Sequence, residues 1–108
     1  MKKEELVFVD IDGVLCKNTW GNYENAAPIK KNIKLINKIY EDGNTIIIWT
    51  SRGTLTGIDW CDLTKKQLSD WKVEYHELRF NKPYYDFFIE DRAGSIDDYL
   101  RRKKCTQK

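Results

Sequence analysis

Four consecutive apolar residues, Leu6-Val7-Phe8-Val9, run directly into Asp10-Ile11-Asp12-Gly13. The run lacks the in–out alternation of a half-exposed strand. It suits a strand covered on both faces, as in a parallel sheet layered with helices. Such a strand carries two carboxylates, one residue apart, to its carboxyl end. Negative charge delivered there is unfavourable unless a metal ion or bound cation compensates it. The stretch therefore restricts the chain to folds that bury a parallel strand and open a polar crevice at its end.

The rest of the chain supplies the layers. Residues 13–27 read as a long loop with Gly13, Gly21 and several asparagines, a length that tends to serve function inside a small domain. Pro28 suits the first turn of a helix, along which Ile29, Ile33, Ile36 and Tyr40 recur, with Leu35 and Ile39 widening the stripe and Gly43 closing it. Thr45-Ile46-Ile47-Ile48-Trp49 is a second strand of the doubly buried kind. After a polar loop over 50–62, Thr64 and Gln67 have capping-box spacing and Leu63 and Leu68 that of a hydrophobic staple, predicting a helix from about Lys65 to Trp71. Val73 to Phe80 reads as an edge-like strand, broken by Asn81-Lys82-Pro83, and Asp86 to Glu90 as a fourth. Ser95 with Asp98 starts a last helix, with Ile96, Tyr99 and Leu100 on its apolar side and its final residues frayed.

This alternation predicts an α/β fold: a Rossmann-like, doubly wound parallel sheet of about four strands with helices on both faces. At 108 residues and 41% hydrophobic, the chain is expected to form one domain over 1–108. A net charge of +2 gives no reason to expect nucleic acid or a membrane surface as partner. Arg101-Arg102-Lys103-Lys104 reads as a solvated final helical turn. Three cysteines without short spacing and a single histidine match neither a disulfide framework nor a zinc pattern. No run approaches the ~20 apolar residues of a membrane span, and the start lacks the apolar run of a signal peptide. The expected location is cytoplasmic.

Doubly wound sheets bind ligands beyond the carboxyl ends of their strands. Those ends carry Asp10 and Asp12, then Thr50-Ser51-Arg52, then Glu90-Asp91, and Lys82 lies in the loop entering the expected fourth strand. Singly, Asp-x-Asp-Gly is a common turn, Thr-Ser a common cap and a lysine a common solvated charge. Together they form a chemical set. Converging carboxylates repel one another unless a hard cation such as Mg²⁺ intervenes. The Thr50 hydroxyl and the backbone N–H groups after it, at Ser51 onward, can hold phosphate oxygens, and Lys82 can neutralise further charge. One aspartate near a phosphorus atom held this way is a nucleophile, and a second can act as acid and then base. Receiver domains gather similar groups, but in a chain order that fits this sequence poorly.

The order fits the haloacid dehalogenase (HAD) superfamily of phosphohydrolases, which the chain resembles over nearly its whole length. Val9-Asp10-Ile11-Asp12-Gly13-Val14-Leu15 looks like that family's first motif, and Ile46 to Gly53 like the second. Lys82 stands as the third and Ile89-Glu90-Asp91-Arg92 as the fourth. The resemblance implies Asp10 as nucleophile, Asp12 as general acid/base, and Thr50, Ser51 and Lys82 on the phosphoryl group. It also implies Mg²⁺ held by the side chains of Asp10 and Asp91 and the backbone carbonyl of Asp12. The family's paired final aspartates appear as Glu90-Asp91, so the direct ligand role falls to Asp91 and Glu90 lies behind it. Arg52 and Arg92 read as contacts to phosphate or carboxylate, with surface ion pairs as the alternative.

Tyr23-Glu24-Asn25, Trp49 to Gly53, Gly57-Ile58-Asp59-Trp60 and Lys82-Pro83-Tyr84-Tyr85-Asp86 look like small, stand-alone HAD proteins associated with capsular or surface-polysaccharide biosynthesis. That resemblance implies a sugar phosphate as substrate. A nucleotide phosphatase is the second enzymatic reading, and a non-catalytic phosphate- or partner-binding domain is the reading from another class. Residues 13–27 and 53–80 leave no room for an inserted cap domain. Hence the substrate is large, or a neighbouring subunit in a homo-oligomer supplies a lid, or the loops bearing Trp20, Tyr23 and Trp60 do part of that work.

Overall fold

The computed structural model describes residues 4–106; the expected fraying at the very end lies outside them. Three parallel strands, β1 (Leu6–Val9), β2 (Thr45–Trp49) and β3 (Glu77–Arg79), form one sheet in the order β1-β2-β3. Val7 and Val9 stand opposite Ile46 and Ile48, and Ile48 opposite Leu78, so one face of the sheet is continuously apolar. Three helices accompany it: α1 (Lys30–Glu41), α2 (Cys61–Asp70) and α3 (Ile96–Thr106). Ile33, Ile36 and Ile39 of α1 and Leu68 of α2 join Val9, Ile46 and Ile48 in the core, with Ile96 and Tyr99 of α3 packed against it. Fully burying one such side chain stabilises by ~1.5–3 kcal/mol. This cluster therefore carries most of the fold's stability.

Several local expectations hold. Gly43 follows the last residues of α1 with φ of 100°, a conformation glycine adopts without a Cβ clash. Ser95 and Asp98 cap α3 reciprocally, at 3.0 and 3.1 Å between each backbone N–H and the other's side chain. One does not: Pro28, expected in the first turn of the helix, sits before the N-cap Ile29 of α1, bridged to Cys16. The single histidine is structural: His76 Nδ1 accepts the Ile46 N–H at 3.1 Å.

Other expectations need correction. The stretch 86–90 is not a strand; it runs irregularly, with Phe87 and Ile89 more than four-fifths exposed. Its apolar residues favour extended backbone, but a strand exists only where a neighbour's edge accepts its hydrogen bonds, and β1 pairs with β2 alone. Among the described residues the sheet accordingly has three strands, where about four were expected. Nor is β1 covered on both faces: Leu6 and Phe8 are 60% and 46% exposed, on the face they share with Ile47 and Trp49. Phe8 there packs edge-on against Trp49, and Arg79 lies over its ring. The third strand is shorter than the 73–80 expectation, and α2 begins at Cys61, four residues early. Residues 13–27 hold one 3-10 turn, Tyr23–Asn25, and 53–76 hold α2, so neither stretch contains an inserted domain.

Candidate active site

The turn after β1 is built on one carbonyl. Ile11 C=O accepts the backbone N–H groups of Val14, Leu15 and Cys16 at 3.1, 2.8 and 3.2 Å. Ile11, Leu15 and Cys16 are completely buried, so apolar packing pins the turn while Asp10 and Asp12 stand between its anchors. The Ile29 N–H to Leu15 C=O bond (2.8 Å) and the Asn32 side-chain amide to Val14 C=O bond (2.8 Å) tie it to the start of α1.

Asp10 remains partly open. Its Oδ1 accepts the Ile11 N–H at 2.8 Å, and Lys82 Nζ lies 3.6 Å from its Oδ2. Burial pushes the Asp10 carboxyl above its ordinary pKa, and the Lys82 ammonium pulls it only part of the way back. Lys82 is also held by its backbone: its N–H donates to Thr50 C=O (3.1 Å), and its C=O accepts from the Thr54 hydroxyl (2.8 Å). Thr50, buried at the end of β2, donates its N–H to Arg79 C=O (3.0 Å). Its hydroxyl oxygen accepts the Arg52 N–H at 3.1 Å, which leaves the hydroxyl proton to donate. Asp10 and Thr50 thus stand just past the ends of β1 and β2, Lys82 lies in the chain that leaves β3, and half-buried Ser51 stands beside Thr50.

Arg52 departs from expectation. Read as a phosphate or carboxylate contact, or as a surface ion pair, it meets a carboxylate of its own chain and is sealed inside, its side chain 0% exposed against 17% for Asp12. Its Nε and one terminal nitrogen grip both oxygens of Asp12, at 2.9 and 3.0 Å. The other terminal nitrogen donates to Thr64 Oγ1 (3.1 Å) and Gln67 Oε1 (2.7 Å). Tyr23 lies over the guanidinium, 4.6 Å from ring centre to Cζ, and packs edge-on against Trp60. The Thr64–Gln67 pair, which imitates a capping box, therefore serves Arg52. Both side chains are buried inside α2, whose N-cap Trp60 makes no side-chain capping bond. Gly53 makes the inward path feasible: at φ of 82°, a Cβ there would lie 2.2 Å from the Ile58 carbonyl oxygen.

Cys16 completes the surroundings of Asp12, its Sγ 3.4 Å from Asp12 Oδ1. Burial first, then the adjoining Asp12 charge, pushes its pKa up to about 12, so it stays a thiol and donates. Sequence reading passed over Cys16, Thr64 and Gln67 as parts of this site. Only Gln67, a polar residue on the helix side that also carries Leu68, carried a trace of it.

The structure does not gather the fourth-motif residues with the others. Glu90, Asp91 and Arg92 are exposed in a turn where Glu90 accepts the Arg92 N–H at 2.8 Å. Among the described residues, no three histidine, cysteine or acidic side chains form a metal-binding group, so Asp91 does not join Asp10 and Asp12. The donors at the end of β1 still suit Mg²⁺ chemically. That ion takes one or two carboxylates and fills its shell with phosphate oxygens and water, and Asp10 is a carboxylate whose charge its surroundings leave undercompensated. A hollow of about 290 Å³ opens beside the site, lined by Arg52, Gly53, Asp59, Trp60, Phe80 and Asn81 among others. A larger one of about 620 Å³ runs along α1 and shares no residue with the site. Trp20 is exposed and stands apart from the Tyr23–Trp60 pair.

No family model and no curated protein matches the chain. Two solved structures are similar to it. A target protein from Vibrio cholerae, whose name states no activity, is 25% identical, with a TM-score of 0.82 over 95% of this chain and 94% of that one. The D,D-heptose 1,7-bisphosphate phosphatase from B. bronchiseptica, complexed with magnesium and phosphate, is 15% identical, with a TM-score of 0.54 over 93% of this chain and 64% of that one. The chain accordingly shares with these two structures a small α/β fold built on a parallel sheet. No helix among the described residues is long and apolar enough to cross a membrane.

Proposed function

We propose that the protein is a phosphatase that hydrolyses a phosphomonoester through an aspartyl-phosphate on Asp10. The observation that carries this reading is the Asp10 carboxylate with Lys82 Nζ 3.6 Å from it, Lys82 being tied through its backbone N–H to Thr50, whose hydroxyl keeps a proton to give. A phosphoryl group seated among them would face a nucleophile on one side and a cation and a donor on the other. An Asp10 oxygen bonds to phosphorus, and the ester oxygen departs with a proton from Asp12. Asp12 then takes a proton from water, which attacks the phosphorus, releases inorganic phosphate and restores Asp10. Thr50, Ser51 and Lys82 hold the phosphate oxygens throughout.

Mg²⁺ would be held by Asp10 and the Asp12 carbonyl and would neutralise charge on the phosphoryl group, with Asp91, which stands apart from them in the structure, drawn in by the ion as the further ligand its motif implies. A sugar phosphate is the substrate class we favour. The aromatic pair Tyr23–Trp60 and the hollow beside it offer an apolar face with Asp59 and Asn81 at its margin. The B. bronchiseptica enzyme is named for a sugar bisphosphate.

Hydrolysis of p-nitrophenyl phosphate, measured with Mg²⁺ and with EDTA, tests the reading. Turnover is expected to need the metal and to disappear in Asp10→Asn. Turnover that survives either change would overturn it, as would none at all in the unsubstituted protein. A panel of sugar phosphates and nucleotides then tests the substrate class.

A further inference from the structure

We infer that Arg52 is the positioning residue for Asp12 and that it confines proton exchange to a single carboxylate oxygen, Oδ2. The inference rests on the phosphatase reading, in which Asp12 is the proton carrier. A guanidinium has five N–H donors, and here every one has a partner. Nε donates to Asp12 Oδ2, one terminal nitrogen to Asp12 Oδ1 and, at 3.9 Å, to Cys16 Sγ, and the other to Thr64 and Gln67. With its side chain wholly buried, Arg52 has no donor left for a substrate phosphate.

The same count applied to Asp12 locates the working atom. A carboxylate offers about four acceptor positions, two on each oxygen. Oδ1 takes Arg52 and the Cys16 thiol, whose Sγ stands nearer to it (3.4 Å) than to the Ile11 carbonyl oxygen (3.7 Å), and Oδ2 takes Arg52 alone. The open position is on Oδ2, and Asp12 keeps enough exposure for a substrate or water to reach it. Planar, two-point pairing also fixes the tilt of the carboxylate, which a lysine in place of Arg52 would not do. Gln67 holds the guanidinium from behind: its Oε1 accepts from Arg52 while its Nε2 donates to Tyr23 C=O at 2.6 Å, joining α2 to the loop before α1.

The test compares phenyl phosphate, whose leaving group needs a proton, with p-nitrophenyl phosphate, whose leaving group needs it far less. Arg52→Lys is expected to lower kcat/KM for phenyl phosphate ~10-fold or more beyond its effect on p-nitrophenyl phosphate, a share of the full general-acid contribution. KM for both should change less than ~3-fold, and the extra loss should vanish when Arg52→Lys is combined with Asp12→Asn. Gln67→Leu, which leaves the ion pair in place, should shift the same ratio in the same direction by a smaller factor. It decides the matter if Arg52→Lys does not fold. Equal losses on both esters, or a loss that persists beside Asp12→Asn, would overturn the inference and leave the phosphatase reading intact. Absence of turnover in the unsubstituted protein would overturn that reading first.

Discussion

The turn after β1 and the stretch after β3 both leave the sheet at its carboxyl end, and they are held by opposite means. In the first, Ile11, Leu15 and Cys16 are fully buried, one carbonyl gathers three backbone N–H groups, and Asp12 is gripped by a buried arginine. In the second, backbone anchoring stops at Lys82. Beyond it, Phe87 and Ile89 face solvent, and Asp91 is exposed in a turn held locally by Glu90. Packing of its neighbours and the buried Arg52 thus fix Asp12 at the edge of the core. Asp91 shares none of that stabilisation. Half of the acidic set is built into the fold, and half lies beside it.

The largest break in this comparison should come from Asp12→Asn. Its turnover is expected to fall ~10²–10⁴-fold, the range of a lost general acid/base, with Mg²⁺ binding retained because only the Asp12 carbonyl is a proposed ligand. Isothermal titration with Mg²⁺ on the folded variant, beside steady-state rates, checks both halves. Loss of metal binding would refute the division of roles.

Next in size is stability. Leu15→Ala should destabilise by ~2–5 kcal/mol, the usual result of emptying a core position, whereas Phe87→Ala and Ile89→Ala should stay within ~0.5 kcal/mol. Urea denaturation measures all three. Equal losses would mean that the second stretch is packed after all.

Asp91→Asn should act more gently, raising the Mg²⁺ concentration for half-maximal rate by ~10-fold, the scale seen when groups around a metal are altered. A change confined to kcat would remove Asp91 from the metal's surroundings. Smallest is a contrast of reagents. In the folded protein at pH 8, iodoacetamide should label half-buried Cys61 and leave Cys16 unmodified, since Cys16 is sealed and its pKa stands at about 12. Mapping the modified peptide by mass spectrometry decides it.

Sequence showed most clearly what depends on near neighbours. Two apolar runs ending in Asp10-Ile11-Asp12 and Thr50-Ser51-Arg52 announce their own strand ends, and Ser95–Asp98 and Gly43 announce helix ends, because each signal is contained within a few residues. Arg52 was legible as a charge but not as a buried one. Its partners come from positions 12, 16, 64 and 67, and the 64–67 pair carries a local pattern that tertiary hydrogen bonding overrides. The stretch 86–90 fails for the complementary reason. Extended propensity says what a segment can do, whereas pairing also needs an available edge brought into register. Leu6 and Phe8 likewise matched a doubly covered strand by hydrophobicity alone, yet both are left exposed on their face of the sheet.

Thr50 is joined to the far side of the sheet twice, through its N–H to Arg79 and its C=O to Lys82. The sheet's hydrogen bonding therefore extends as far as Lys82, and α3 takes hold again through Ile96 and Tyr99. Between those two points the chain is a natural insertion locus. Extra residues added between Tyr84 and Ile89 would interrupt none of the bonds that seat Asp10, Asp12, Thr50 or Lys82. Such an insert would emerge from the same end of the sheet as the two aspartates. A grafted loop or small domain at this position could form a roof over the site without disturbing the floor.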